Sequence, residues 1–477
     1  MKRFLLLFAF IGLWSMLNAQ WVSPGNGTTY TLDDLVEIGC VLHDDANATY
    51  NITTDITISA TDQLNISIEN APTALLFNED DLTLTIKGSM VVVGMEQSSY
   101  FIGMPVYAQH GHIRFEDASA PSHFTFCDIF SLSGIQIINS EVVFERCQIA
   151  YFDAYSQSSA VNFMNCDPVF TGCTFFLNQG AALSSPVNGQ GSPQLTDCII
   201  SYNVRNNSNQ PQINLGPGSQ DTIRIVGCHI AGSGQEKSGG ISIADLIGTG
   251  DTKILLKDNL IGNHRYGYNQ QGYRLSSTII GNSFIDNNLE TNPMNGGSGI
   301  SIYGMDENNK AVLRNNIITG NLWGITVINA ADVDMGMEDD WGYNQIYDNG
   351  NSGVIYDLYN NSACDIMAIG NDWGTSEAQV IEGHIVHQHD DPSLGLVNYT
   401  PFIDHDGVSE SNNTGFEVWP NPAQGRFTVE GKGTMIVTNA LGQTIITKEI
   451  DGKESIELPR GFYIVKLGNA TQKVLVE

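Results

Sequence analysis

Bases and aromatics crowd together at one place in this 477-residue sequence, His264-Arg265-Tyr266-Gly267-Tyr268 followed by Tyr273-Arg274. Aromatic faces stack on sugar rings, and an arginine can clamp a carboxylate bidentately or serve as the base of a β-elimination. His264, Tyr266, Tyr268 and Tyr273 are therefore candidate ligand-binding residues, and Arg265 and Arg274 are candidate catalytic bases. A second grouping is Asp332, Asp334, Glu338, Asp339 and Asp340. Asp332 and Asp334 would share one face of a strand, as neighbouring carboxylates must to hold a cation such as Ca²⁺. The third, His384, His387, His389, Asp390 and Asp391, sets nitrogen and oxygen ligands close enough for a transition metal. The plainer readings are exposed turn residues, a solvated acidic loop and part of a terminal cap, respectively. No EF-hand run, G-x-S-x-G, HExxH or phosphate-binding loop occurs in the sequence.

These candidates are carried by a repeat. Its column of small residues is Cys127, Cys147, Cys173, Cys198, Cys228, Asn259, Asn282, Asn316, Asn344 and Asn371, at steps of 20 to 34 residues. An apolar residue stands two places after each, from Ile129 to Trp373. An asparagine stands five places after half of them: Asn178, Asn203, Asn287, Asn321 and Asn349. Copies close on runs such as Gly240-Ile-Ser-Ile, Gly299-Ile-Ser-Ile and Gly324-Ile-Thr-Val. A period in this range marks a solenoid, and two-residue alternation without helical stretches makes it one of strands. Coiling stacks the copies about 4.8 Å apart around one long core, with right-handed crossovers. The column is then structural. Stacked asparagines form amide ladders and tolerate a left-handed bend, and cysteines pack as small apolar groups. Zinc cysteines would come as CxxC pairs, which are absent. In-register Cβ atoms about 4.8 Å apart lie beyond easy disulfide reach, so mostly free thiols are expected.

The N-x-I-x-x-N…G-I-x-I copies from Cys127 to Trp373 resemble the right-handed parallel β-helix proteins of the pectin-lyase-like group. That resemblance implies the fold and leaves activity open, since one scaffold carries unrelated chemistries.

Met1–Ala19 reads as a signal peptide, with Lys2 and Arg3 ahead of an apolar run and cleavage expected before Gln20. Its core is too short to span a membrane, and no later stretch is long enough. Thr31–Ile38 reads as a short helix that covers the open end of the solenoid, with Thr31 as its N-cap. Ser184–Pro193, Asn206–Gly218 and Ala330–Trp341 read as loops leaving the coil. Ser376–Gln379 reads as a capping box opening a second cap, with Val380, Ile381 and Ile385 facing the core. The β-helix is thus expected over 20–403, a polar linker over 404–415, and a small antiparallel β-sandwich of short strands over 416–477.

Within that last segment stand Trp419-Pro420-Asn421-Pro422, Gly425-Arg-Phe-Thr-Val, Asn439-Ala-Leu-Gly, Leu458-Pro-Arg-Gly-Phe-Tyr-Ile-Val-Lys and the closing Lys473-Val-Leu-Val. They closely resemble the type A C-terminal sorting domain of the type IX secretion system, with Trp419 where that family usually has tyrosine. The resemblance implies passage across the outer membrane to the cell surface, with the type IX machinery as partner. The segment is then an address and carries no chemistry.

The formal charge is −31, and 416–477 is neutral with seven basic and seven acidic residues, so the β-helix holds nearly all of it. From Asn315 to Gly425 there is no Lys or Arg, against seventeen acids. Such a surface repels nucleic acid and anionic lipid, and it disfavours a polyanionic substrate unless Ca²⁺ intervenes. Two function classes remain. One is a surface-displayed β-helix that binds a glycan such as a polysaccharide, or a partner, or serves as an extended stalk, without catalysis. The other is a polysaccharide lyase or glycoside hydrolase working in the β-helix groove. A lyase would need carboxylate-held Ca²⁺ beside Arg265 or Arg274 on one outer face, with Lys310 and Arg314 in the rungs between. No copy departs from the repeat to install a clear base-and-carboxylate pair, so the non-catalytic class is expected.

Overall fold

A computed structural model describes residues 20–67, 74–77, 81–96, 100–103, 111–153, 159–405, 416–421, 423–439, 444–459, 461–468 and 470–476. The expected signal peptide and most of the expected linker lie outside the described residues. One coil shows how the sequence becomes a rung. Lys310–Arg314, Ile317–Thr319 and Trp323–Asn329 are three short strands, and their Leu313, Ile318, Ile325 and Val327 are wholly buried. Alternation sends those side chains inward and their neighbours outward. Asn315 and Gly320, both at positive φ, turn the chain between the strands.

Among the described residues the stacked coils form three sheets of 14, 14 and 13 strands, sheets 1, 2 and 3, all parallel except where Val41–Asp44 pairs antiparallel with Thr49–Ile52 in sheet 3. Sheet 1 contains Gly239–Asp245, Tyr268–Gly272, Ser298–Gly304 and Trp323–Asn329. Sheet 2 contains Leu275–Ile280, Lys310–Arg314 and Asp332–Asp334. Sheet 3 contains Leu260–Gly262, Ser283–Ile285 and Ile317–Thr319. Equivalent residues lie one above another: Phe124, Phe144 and Phe170 are register partners with ring centroids 4.9 and 5.1 Å apart. Each such buried ring contributes roughly 2–3 kcal/mol. The chain is a parallel β-helix.

The repeat column lies at the corner between sheets 2 and 3. Asn316 shows the bonding. Its Oδ1 accepts the main-chain N–H and the Nδ2–H of Asn282, at 2.9 and 3.1 Å, and its own Nδ2 donates to the Ile279 carbonyl at 2.8 Å. The pattern repeats from Asn259 to Asn371. The left-handed residue is the one before the asparagine, as at Asp258 and Asn315, which corrects the expectation that the asparagine itself takes the bend. At the next corner, between sheets 3 and 1, Asn287, Asn321 and Asn349 form a second ladder that ends on Asp357 Oδ1. A Cβ on Gly324 would come within 2.4 Å of the Asp357 carbonyl and 3.0 Å of Asn349 Nδ2, so the repeat's glycine makes room for the next coil. Cys147, Cys173 and Cys198 occupy the first corner in earlier coils, and all eight cysteines are free thiols.

A helix, α1 (Leu32–Ile38), has the expected N-cap at Thr31, which closes a capping box with Asp34, and it buries Leu32 and Leu35. Helix α2 (Ala378–Gly383) departs from expectation. Its N-cap is Glu377 with no side-chain bond, because the Ser376 hydroxyl bonds Asp404 instead. Ile381 and Ile385 are buried, whereas Val380 is exposed. Two expected loops also contain strands. Pro211–Leu215 belongs to sheet 1, its proline at the first strand position where no ladder donor is missed. Asp332–Asp334 belongs to sheet 2.

The chain divides into two compact units after Asp404. In the second, five strands form an antiparallel sheet around Phe427, Val429, Met435, Val437, Val465 and Val474. The short strands expected there are merged: Arg426–Asn439 and Thr444–Glu457 are continuous, and Gly433 and Gly452 sit at positive φ within them.

Candidate functional site

The outward side chains of sheet 1 form files, since each strand is in register with the next. One file runs Asn214, Ser242, Asn269, Ser301, Thr326 and Tyr359. It floors a groove of about 590 Å³. Arg265 and Tyr266, at the corner that leads into sheet 1, make one wall with the insertion around Pro293–Gly296. Arg265 Nε donates to the Asn295 carbonyl at 2.8 Å, and its Nη1 reaches Asn209 Oδ1. Trp323 Nε1 donates to the Pro293 carbonyl at 2.9 Å. Both side chains therefore pin the insertion beside the groove. Trp323 also packs on Tyr356 and Tyr359, with centroids 4.6 and 5.3 Å away. The Tyr266 ring lies against Gly239, where a Cβ would come within 2.3 Å. Burial pushes its phenol up to about 12, so it stays protonated. Among the described residues no carboxylate lines this groove.

The basic-aromatic cluster is thus divided by the wall of the coil. Arg265 and Tyr266 face the groove. Tyr268 is wholly buried, with its hydroxyl 3.0 Å from Gln270 Oε1, and His264 is wholly buried too. Neither offers a face to a ligand, which corrects their assignment as binding residues. His264 stands five residues after Asn259, so it fills the second ladder's position, and its Nδ1 lies 3.3 Å from Asn287 Oδ1. Its Nε2 has no hydrogen-bond partner, and desolvation pushes the imidazole down to about 3. Tyr273 and Arg274 lie beyond the strand Tyr268–Gly272, at the following corner, and neither lines the groove.

The acidic cluster lies on sheet 2. Asp332 and Asp334 do share a strand face, but their oxygens meet cations of the protein. Asp332 is 3.2 Å from Lys310, and Asp334 and Asp340 are each 2.8 Å from Arg314. The shared-cation expectation is therefore replaced by ion pairs. The acids of this cluster thus pair with Lys310 and Arg314, not with Arg265 or Arg274 as the lyase geometry requires.

At the C-terminal cap the histidines also separate. His384 Nδ1 is 3.1 Å from Asp357 Oδ2, whereas Glu382, His387 and His389 form one cluster. Glu382 Oε1 lies 3.0 Å from His387 Nε2 and 2.6 Å from His389 Nδ1, and Oε2 accepts from Tyr399 at 2.9 Å. Burial opposes ionisation of Glu382, yet these bonds outweigh it and hold the carboxyl at about 2. The Val397 N–H donates to His387 Nδ1 at 2.9 Å, so the neutral ring carries its proton on Nε2 and gives it to Glu382.

A stacked three-sheet coil followed by a small antiparallel unit defines the class: a parallel β-helix with an appended sorting domain. Residues 177–380 match the family described as a protein of unknown function, DUF1565, and residues 417–477 match the secretion system C-terminal sorting domain. The chain is a right-handed parallel β-helix protein with a type IX secretion system C-terminal sorting domain, exported to the cell surface or beyond. No helix is long and apolar enough to cross a membrane among the described residues. None of the curated proteins matches. Solved structures of similar shape include a point mutant of the periplasmic alginate epimerase AlgG, at 11% identity over 79% of this chain and 84% of that one, TM-score 0.45. Another is a mannuronic acid specific polysaccharide family 6 lyase from human gut microbiota, at 12% identity over 74% and 89%, TM-score 0.28. A third is the siphovirus 9NA tailspike receptor binding domain, at 8% identity over 95% and 84%, TM-score 0.27.

Proposed function

We propose that this exported β-helix binds a glycan in the groove on sheet 1 and leaves it chemically unchanged. One observation carries the reading: the groove floor is a file of amides and hydroxyls beside Tyr266, Trp323 and Tyr359, with no carboxylate among the described lining residues. Amides and hydroxyls both donate and accept, which suits sugar hydroxyls, and aromatic faces suit sugar rings. Chemistry has less to work with. Arg265 is held by the insertion, Tyr266 keeps its proton, and the acids of sheet 2 stand on another sheet.

A glycan array with the wild type and with Tyr266→Ala and Tyr359→Ala tests this. Each variant is expected to lose about tenfold in affinity, as for an aromatic contact with one ring. Unchanged binding in both would remove the groove from the reading. Release of unsaturated or reducing ends from any bound polymer would replace binding with catalysis.

A further inference from the structure

The three outward faces of the coil differ in chemistry. Sheet 1 presents the amides and hydroxyls of the groove. Sheet 2 presents charge, with Glu145, Lys253, Lys257, Lys310 and Asp332 exposed. Sheet 3 is apolar: in its eight strands from Gln148–Ala150 to Gln345–Tyr347 no residue is Asp, Glu, Lys or Arg. Ile199 and Leu260 are nonetheless 46% and 41% exposed there, and the corner leading to sheet 1 adds Tyr151 and Tyr202 at 47% and 56%. Tyr151 and Phe130 pack edge-on against Phe176, with centroids 5.3 and 6.2 Å away. Apolar side chains gathered in water on one face of a chain of net charge −31 mark a contact surface. We infer that sheet 3 is the interface of a homodimer, in which a two-fold axis crossing the coils packs it against the same sheet of a second copy.

Area, shape and charge choose this occupant. The strands from Cys127–Phe130 to Gln345–Tyr347 number nine. At about 4.8 Å apart and about 16 Å wide with their corners, they cover roughly 600 Å², so two copies bury roughly 1,200 Å², enough for a specific interface. The face is bulky in its early coils, at Phe130, Tyr151, Phe176 and Tyr202, and flat in the next, at Ala231, Gly232 and Gly262. The flatness is enforced, because a Cβ would come within 1.6 Å of the Asn263 carbonyl at Gly232 and within 2.8 Å of the Ile285 carbonyl at Gly262. A two-fold axis between the levels of Ile200 and Ile230 lays bulky coils on flat ones, as an isologous contact requires. Phe176 and Tyr202 of each copy then meet Gly262 and Gly232 of the other. The same axis sets the rim acids Asp197 and Asp258 opposite Gly227 and Gly172, so these like charges do not face each other. A partner of opposite charge would be drawn to the acidic surface elsewhere, whereas a charge-free face suits one that brings no charge to it.

Sedimentation velocity of the full exported chain between about 1 and 100 μM tests the inference, and a reversible monomer–dimer equilibrium is expected. Ile199→Lys and Leu260→Lys each act twice at a two-fold contact and should weaken the dimer at least about fiftyfold. Both positions face solvent in the monomer, so melts of the dilute variants should match wild type and show that they fold. The axis also places Thr174 opposite Leu260. Thr174→Lys and Leu260→Asp should each weaken the dimer, and the two together should restore it to within about fivefold of wild type. A monomer at every concentration, or a dimer that all these variants leave intact, overturns the interface. Absence of rescue in the double variant overturns the two-fold arrangement. A monomer that floats with phosphatidylcholine vesicles, and ceases to in Ile199→Lys, assigns the face to a lipid surface and overturns the dimer.

Discussion

The same corner of the solenoid is solved in two ways. In the early coils Cys147, Cys173 and Cys198 fill it, each thiol 3.3 to 3.6 Å from the carbonyl two residues before it. In the later coils asparagines fill it, and each satisfies a backbone donor, a backbone acceptor and its neighbour's amide. The cysteine corner is bonded across coils too, but by a weak thiol donor: the three sulfurs lie 3.5, 3.4 and 3.5 Å from the Phe124, Phe144 and Phe170 carbonyls of the preceding coil. The asparagine corner shares its bonds between coils, so each residue holds three levels together. Cys228 is the junction, its main-chain N–H donating to Asn259 Oδ1 at 2.8 Å.

The largest expected effect separates these halves. Asn316→Leu keeps the volume but takes from the Asn282 main-chain N–H and the Ile279 carbonyl the buried partners that Asn316 gave them. It should cost about 3–5 kcal/mol. Cys173→Ala removes one buried sulfur and should cost about 1 kcal/mol. Chemical denaturation of both variants measures the difference. Equal losses would mean that the ladder adds nothing beyond packing.

His264 sharpens the contrast, because it is a ladder member that titrates. Its folded pKa is about 3 against an ordinary 6.5, so between those values the unfolded chain binds the extra proton. Stability therefore falls as pH drops from 6.5 toward 3. His264→Asn puts the usual ladder residue in place. It should change stability little at neutral pH and recover about 3 kcal/mol at pH 4 relative to wild type. Melting curves of the two proteins across pH 3.5–7.5 read this out; parallel curves would remove His264 from the acid response.

An exposed pair sets the lower end of the scale. Lys310 and Asp332 are about half exposed, and Asp332→Asn should change stability by about 0.5 kcal/mol or less. A loss approaching that of Asn316→Leu would show that deleting any polar group has this cost.

Spacing made the coil and the column legible, because one small residue recurs with an apolar partner two places on. His264 was equally legible by that rule, five places after Asn259, but its neighbours Arg265 and Tyr266 drew it into a surface cluster. The outward faces were not legible. The segments between corners vary in length, so Asp332 could not be assigned to a sheet, nor Arg274 to a corner, until register was known. The polar file that floors the groove, from Asn214 to Tyr359, is hidden for the same reason: its members are 25 to 33 residues apart and unlike one another in type. The sorting domain was readable because its signals are contiguous, as in Gly425-Arg-Phe-Thr-Val.

The smallest expected effect concerns the terminal cap, where the ladder's logic recurs. A metal at Glu382, His387 and His389 needs a lone pair from each. His387 spends its Nδ1 lone pair on the Val397 N–H, so Nε2 holds the proton and donates to Glu382. Binding through Nε2 would require moving that proton to Nδ1, against a main-chain donor 2.9 Å away. Like an asparagine in the ladder, the ring is committed at both ends. Zn²⁺ at a modest excess should therefore raise the melting temperature by less than about 1 °C, since a ligand that binds weakly adds little stability. A shift of several degrees that His387→Gln abolishes would show that the cap opens this cluster to metal, and that full internal bonding does not disqualify a site.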